Sequence, residues 1–111
     1  MLSGSLSQSF AVVSGHLPPG HPDSPVDWAA LACSADTLVL LMAVANRSNI
    51  AQRLLDLGRP PGMAVACIEQ AATARQRVTR CTLLELAQPE QSPSIANPAV
   101  IVIGPTIPLL P

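Results

Sequence analysis

The sequence contains no lysine, no tyrosine and hardly any aromatic side chains, since Phe10 and Trp28 are the only two in 111 residues. Charged residues make up 12% and apolar residues 49%, which excludes a disordered, highly charged chain. The core must therefore be built from Leu, Val, Ile and Ala. A net charge of −1 provides no basic stripe to displace counterions from phosphates, so nucleic acid is not expected as the main partner.

Long apolar runs and paired cysteines are missing as well. The longest apolar run covers residues 38–45, whereas a transmembrane helix needs about 20 residues. Residues 1–8 lack the charged and apolar regions of a secretory signal. The three cysteines, Cys33, Cys67 and Cys81, show no CxxC spacing. We therefore expect a cytoplasmic protein without membrane association, with reduced thiols packed in apolar surroundings.

Local patterns predict an α/β fold. Apolar or alternating segments indicate five strands, near residues 10–14, 37–44, 63–68, 76–83 and 99–103. Their order with the intervening helices predicts a single lobe with a mixed sheet of about five strands packed by two to three helices.

The helices have recognisable ends. The first is expected over residues 27–35 with Asp27 as its cap, and the second over residues 48–57 with Ser48 as its cap and Gly58 at its end. The apolar stripe of the second helix consists of Ile50, Leu54 and Leu57. A short helix near residues 83–87 leads into a polar, Pro-containing loop over residues 88–98.

Several short motifs follow one another in a fixed order. They are SFAVVSGH (9–16), PVDW (25–28) before Leu31-Ala32, TLVLLM (37–42), Ile50, Leu54 and Gly58 in one helix, MAVA (63–66) before Glu69, QRV (76–78) before Thr82-Leu83, and PAVIVIG (98–104). In order and spacing they resemble the second lobe of the tetrapyrrole methylases, and the Pro-rich stretch before Trp28 resembles the uroporphyrinogen-III C-methyltransferase branch. The resemblance assigns residues 9–104 to this C-terminal lobe, residues 1–8 to a short leader and residues 105–111 to a Pro-rich tail.

The resemblance implies an activity and a cofactor. Members of this branch use S-adenosyl-L-methionine to methylate ring carbons of uroporphyrinogen III toward precorrin-2, on the route to siroheme and cobalamin. Carried over by position, Met42 would pack on the adenine of the cofactor and the backbone of Ala71 would meet the nucleoside. Methyl transfer requires positioning of the two reactants and exclusion of water, so no catalytic side chain and no metal ligand is assigned.

The departures from the family pattern concern the first lobe and several glycines. The Gly-rich first lobe, its GGDP loop and its TSA-like segment have no counterpart, so the chain is expected to be inactive alone. Ala43, Ala71 and Cys81 replace glycines, and a Cβ at these positions could crowd the cofactor pocket. The GEVV motif has become Gly104 followed by Pro-Thr-Ile.

Other polar residues are weaker candidates. His16 and His21 stand on a Pro-rich loop, where bracing of the loop is favoured over metal binding and His16 could also lie near the substrate. Glu69 is interpreted as bracing the following turn rather than as a proton acceptor. The eight carboxylates of uroporphyrinogen III require arginine, and the sequence offers Arg47, Arg53, Arg59, Arg75, Arg77 and Arg80.

Three hypotheses remain open at this point: a methylase or part of one, a non-catalytic remnant or interaction module, and one half of a split methylase. A lobe separated from its sister should expose the apolar surface that the sister covers. We therefore expect a homodimer or a complex with a partner lobe, and tetrapyrrole binding only after a first lobe completes the cleft.

Overall fold

The computed structural model describes residues 10–34 and 36–104. The leader (1–8) and the Pro-rich tail (105–111) of the predicted organisation lie outside these residues. The strands are β1 (Phe10–Ser14), β2 (Thr37–Leu41), β3 (Ala64–Glu69), β4 (Arg77–Thr82) and β5 (Ala99–Ile103), and the helices are α1 (Trp28–Ser34), α2 (Arg47–Asp56) and α3 (Leu83–Ala87).

The five strands form one mixed sheet in the order β1-β2-β5-β3-β4. Strand β1 runs parallel to β2, and β5 runs antiparallel to both of its neighbours, β2 and β3. Strands β3 and β4 are antiparallel. The predicted α/β class, with about five strands and two to three helices, is confirmed.

One face of the sheet is covered by the three helices. Alternate strand residues point to this covered face and are fully buried there, together with the apolar stripes of the helices. The buried strand residues on this face are Leu38, Leu40, Val65, Cys67, Ile101 and Ile103. From α2, Ile50, Ala51 and Leu54 complete the core, and Trp28 of α1 joins it.

The opposite face, the open face, carries the other alternate residues. Ala66 and Val102 are buried at its centre among Val39, Ile68 and other partly buried apolar side chains, and this cluster contains strand residues only. On the edge strand β1, Phe10 and Val12 are 60% and 62% exposed. The open face is therefore an apolar surface that no helix within residues 10–34 and 36–104 joins in a core cluster.

The helix ends follow from local hydrogen bonds. Asp27 Oδ1 accepts a bond from the Ala30 amide at 3.0 Å, which confirms Asp27 as the cap of α1. Gly58 ends α2 with φ of +102°, a left-handed conformation that costs glycine little. The prediction of Ser48 as the cap of α2 is wrong, because α2 begins at Arg47 and the Ser48 hydroxyl donates instead to the Leu86 carbonyl of α3.

Two further expectations are corrected. The apolar segment 37–44 is not one strand, because β2 ends at Leu41 and Val44–Asn46 forms a 3-10 helix. Apolarity there reflects packing of Ala43 and Val44 into the interior rather than an extended backbone.

Cys33 is exposed on α1, whereas Cys67 is buried and Cys81 half-buried, so apolar packing holds for two of the three cysteines. None of the described helices has the length and apolarity of a membrane-spanning segment.

Candidate cofactor-binding site

Three chain segments converge at one end of the sheet. The register pairs Leu41 with Val100 and Glu69 with Ala99, so β2 and β3 end where β5 begins. Met42 follows β2, the turn of residues 70–76 follows β3, and Pro98 precedes β5. We call this region the cleft end, because two neighbouring grooves open there.

Met42 lies at the junction of the two grooves. The first groove has a volume of about 320 Å³ and is lined by Met42, Val44, Ala45, Asn97, Pro98 and Ala99. The second has about 330 Å³ and is lined by Leu41, Met42, Ile68, Gln70, Ala71, Thr73, Pro98, Ala99 and Val100. These volumes fall at the lower end of the range for small-molecule sites.

The backbone at Met42 is unusual. Its φ is +54°, a left-handed value that few residues other than glycine adopt, and its side chain is 62% exposed. Such conformations are costly and cluster at functional sites. The exposure shows that the Met42 side chain is not packed into the core.

The turn after β3 supplies Ala71 and is strained as well. Gln70 and Ala72, on either side of Ala71, have φ of +53° and +65°. The turn is closed by the Thr73 amide, which donates to the Gln70 carbonyl at 3.1 Å, and by the Ala72 amide, which donates to Gln76 Oε1 at 2.7 Å. The two residues that the sequence suggested, Met42 and Ala71, therefore line the same groove.

The glycine replacements do not all affect the grooves. Ala43 has an ordinary φ of −111° and is fully buried, and Cys81 lies in the regular strand β4. Neither of them lines a groove, so the expected crowding of the pocket does not hold for these two. Of the three replaced positions, Ala71 alone lines a groove.

The two histidines brace the loop between β1 and α1. His16 Nδ1 lies 2.9 Å from the Ser14 hydroxyl, and His21 Nδ1 accepts a bond from the Asp23 amide at 3.0 Å. Neither histidine lines a groove. Among residues 10–34 and 36–104, no three His, Cys, Asp or Glu side chains are grouped as a metal site.

Several arginines are already engaged with the protein. Arg47 donates to the Val44 carbonyl at 2.6 Å, the Ser92 hydroxyl at 2.9 Å and the Pro93 carbonyl at 3.1 Å. Arg59 donates to backbone carbonyls of α1 and the following turn. Arg75 is exposed on the turn that carries Ala71 and lines neither of the two grooves.

Glu69, the last residue of β3, is only 8% exposed. Its Oε2 accepts a bond from the Ala96 amide at 3.2 Å, and its Oε1 lies 3.3 Å from Nε of Arg77, its cross-strand neighbour. Glu69 thus braces the loop before β5 rather than the turn that follows it.

The cysteines of β3 and β4 form a hydrogen-bonded pair on the covered face. The Cys67 thiol donates to Cys81, and this bond together with burial raises the pKa of Cys67. The same bond lowers the pKa of Cys81, because it stabilises the thiolate. This pair lies outside both grooves.

Sequence reasoning missed several groove residues. Gln70, Thr73 and Asn97 carry no individual signal in the sequence, and Pro98 was noted only as the first residue of the PAVIVIG motif. They meet because the antiparallel register brings segments about 28 residues apart to one end of the sheet.

Comparisons with known proteins agree with this geometry. The family model described as Tetrapyrrole (Corrin/Porphyrin) Methylases matches residues 2–87. The chain is 39% identical to the uroporphyrinogen-III C-methyltransferase of Bacillus subtilis and 43% identical to the siroheme synthase of Tolumonas auensis, each over 88% of this chain and 20% of the relative. A crystal structure of uroporphyrin-III C-methyl transferase from Thermus thermophilus, complexed with S-adenyl homocysteine, superimposes with a TM-score of 0.79 at 34% identity, over 96% of this chain and 44% of that chain.

The chain thus spans about a fifth of the length of these two sequence relatives and less than half of the solved structure.

Proposed function

Since the chain belongs to the tetrapyrrole (corrin/porphyrin) methylases, we propose that its cleft end forms the adenosine side of an S-adenosyl-L-methionine site for C-methylation of uroporphyrinogen III. Met42 and Ala71 are the proposed cofactor-binding residues. The observation that supports this role is the exposed, left-handed Met42, which shares a groove with Ala71. Its polarisable thioether suits contact with a purine ring.

The chain supplies one wall of this site, and we propose that it requires a first lobe for turnover. A cleft between two lobes holds the methionine end of the cofactor through contacts from the other side. Loss of two charge-assisted hydrogen bonds, at about 1.5–3 kcal/mol each, would weaken a micromolar site to about the millimolar range. We place the reaction in the cytoplasm, on the route to precorrin-2, siroheme and cobalamin.

Substrate binding would then involve Arg75 more than Arg47. The guanidinium of Arg47 is already bonded to three acceptors of the protein, whereas Arg75 is exposed on the turn whose residues Ala71 and Thr73 line the second groove. The planar guanidinium suits the carboxylates of a uroporphyrinogen.

A second candidate function is a non-catalytic interaction module. The open face favours it, because exposed apolar patches of this kind mark association sites. Self-association as a homodimer, or binding of a partner lobe, is proposed for this face under either function.

Calorimetric titration with S-adenosylhomocysteine separates these candidates. We expect weak or no binding to the chain alone, and micromolar binding after addition of the separately expressed first lobe of the Thermus thermophilus enzyme, together with precorrin-2 formation. Met42→Glu should abolish that binding, because it places a charge against the nucleoside. Leu84→Glu is the matched control, since Leu84 is exposed on α3 and lines neither groove.

Each outcome of this titration is informative. Micromolar binding and turnover by the chain alone would contradict the requirement for a first lobe. Absence of binding in every mixture would favour the interaction module.

A further inference from the structure

The loop of residues 88–98, which we call the cleft loop, has neither helix nor strand within it. Its last two residues, Asn97 and Pro98, line the first groove, and Pro98 also lines the second. The position of this loop therefore sets the width of both grooves. Backbone bonds close a turn at its start, from the amides of Gln91 and Ser92 to the Gln88 carbonyl, and side chains from other elements bind the residues that follow.

Three charged side chains hold the cleft loop. Arg47 binds its middle through Ser92 and Pro93, and Nη2 of Arg77 lies 3.4 Å from the Ser94 carbonyl. Glu69 accepts the bond from the Ala96 amide, two residues before Pro98. The contact with Glu69 is thus nearest to the groove wall.

Glu69 also lies next to the turn that forms the other side of the second groove. The residue that follows it, Gln70, begins the turn with Ala71, and the Gln70 amide donates to the Pro98 carbonyl at 2.9 Å. We call the sides of the second groove that carry Pro98 and Ala71 the Pro98 wall and the Ala71 wall. The Glu69 side chain therefore connects the loop that forms the Pro98 wall to β3, the strand that leads into the turn with Ala71. The second groove lies between these two walls.

Burial of the Glu69 carboxylate costs free energy, because the charged group loses its hydration. Its desolvation is compensated only in part, because Oε1 accepts no hydrogen bond from the described residues and has the charge of Arg77 as its partner. Arg77 is itself 62% exposed, which screens the pair. The ion pair is therefore expected to contribute little to the stability of the fold.

We propose that Glu69 is a positioning residue of the cleft, which sets the separation of the Pro98 and Ala71 walls through the Ala96 amide and the ion pair with Arg77. The inference rests on the proposed function in one respect, namely that the ligand between these walls is the nucleoside of S-adenosylmethionine.

The first test measures amide hydrogen exchange of the whole chain by NMR and needs no ligand. Glu69→Ala should accelerate exchange of the Ala96 and Gln70 amides by about tenfold, the effect of losing one hydrogen bond to a charged group. Amides of β2 and β5 should be unchanged. Glu69→Gln keeps an acceptor oxygen and should retain protection at Ala96.

The matched control is Glu85→Ala. Glu85 also accepts a backbone bond, from the Thr82 amide at 2.8 Å, but at the far end of β4. This variant should leave exchange at Ala96 and Gln70 unchanged. Unchanged exchange at Gln70 in Glu69→Ala, or an equal response to Glu85→Ala, would overturn the proposal.

The second test measures S-adenosylhomocysteine affinity in the mixture with the first lobe. Glu69→Ala should raise the dissociation constant by about tenfold, with Glu69→Gln intermediate and Glu85→Ala like the wild type. Accelerated exchange with unchanged affinity would overturn positioning of the ligand walls. If the wild type binds no ligand, the proposed function fails, while the exchange test still decides whether Glu69 positions the two walls.

Discussion

The two faces of the sheet are built from alternate residues of the same strands, yet they differ in how far their side chains are buried. Leu40 and Ile101 on the covered face are fully buried, whereas Phe10 and Val12 on the open face are more than half exposed. Both faces are apolar. Hydrophobicity alone therefore does not tell which face is a core and which is a surface for association. The difference arises because the helices pack against one face only.

The open face and the cleft end are continuous. Leu41, Val100 and Ile68 lie in one cross-strand row of the open face, and the same three residues line the second groove. A partner that covers the open face would therefore also close this groove. Association and ligand binding are expected to be coupled for this reason.

The largest effect should come from truncation on the covered face. Ile101→Ala leaves a cavity among buried residues of the core and should lower the free energy of unfolding by about 2–5 kcal/mol. Val100→Ala, the adjacent residue on the open face, should cost about 1 kcal/mol, because its side chain is only partly buried. Urea unfolding followed by the fluorescence of Trp28 measures both, and equal losses would break the distinction between the faces.

The next effect concerns the close contact of Gly15, the residue after β1, with Ala43 and Ile50. A Cβ at Gly15 would lie 2.5 Å from the Cβ of Ala43 and 2.9 Å from Cδ1 of Ile50. Gly15→Ala should therefore cost about 1–3 kcal/mol by overpacking. Ala43→Gly in the same chain should recover part of the loss, because it removes the nearest atom.

The control for this pair is Gly62→Ala, where the added Cβ meets no atom within 4 Å. It should leave the urea midpoint unchanged or raise it slightly. Strict additivity of Gly15→Ala and Ala43→Gly would contradict the proposed contact.

The sequence predicts the covered face well and the cleft end poorly, and the reason is physical. A helical stripe is a local signal, so Ile50 and Leu54 of α2 could be assigned to a core from their neighbours alone. The segment that contains β2 is apolar without alternation, so its sequence indicates a strand but not which of its residues face the helices. The left-handed conformation of Met42 has no such signal, and the apolar run through residue 44 concealed the end of β2. Met42 and Ala71 were suggested by family resemblance, whereas their shared groove depends on strand register.

A smaller effect is expected for the reactivity of Cys81, which is paired with Cys67 on the covered face. In a Cys33→Ser background, Cys81 should react with iodoacetamide at a lower pH than an ordinary thiol, because the Cys67 bond lowers its pKa. Cys67→Ala removes the donor, so the apparent pKa of Cys81 should rise and its rate at a fixed pH below that pKa should fall.

Cys67→Ser is the matched control for this titration, since a hydroxyl still donates to the thiolate. It should keep the reactivity profile of Cys81 close to that of the parent. Identical profiles for the Ala and Ser variants would show that burial, rather than the hydrogen bond, governs Cys81.

The smallest effect on stability, and the most direct test of the open face, is expected for Val12→Thr. Val12 is 62% exposed on the edge strand, and threonine also favours extended backbone, so the free energy of unfolding should change by less than about 0.5 kcal/mol. The added hydroxyl would be buried in an interface, however, and should weaken self-association of the open face. Sedimentation velocity across micromolar concentrations measures this, and Leu84→Thr, exposed on α3, is the matched control that should sediment like the wild type.

A wild-type chain that sediments as a compact monomer and binds no hydrophobic dye would contradict association through this face. Equal weakening by both substitutions would place the contact elsewhere, whereas loss with Val12→Thr alone would identify the open face as the interface.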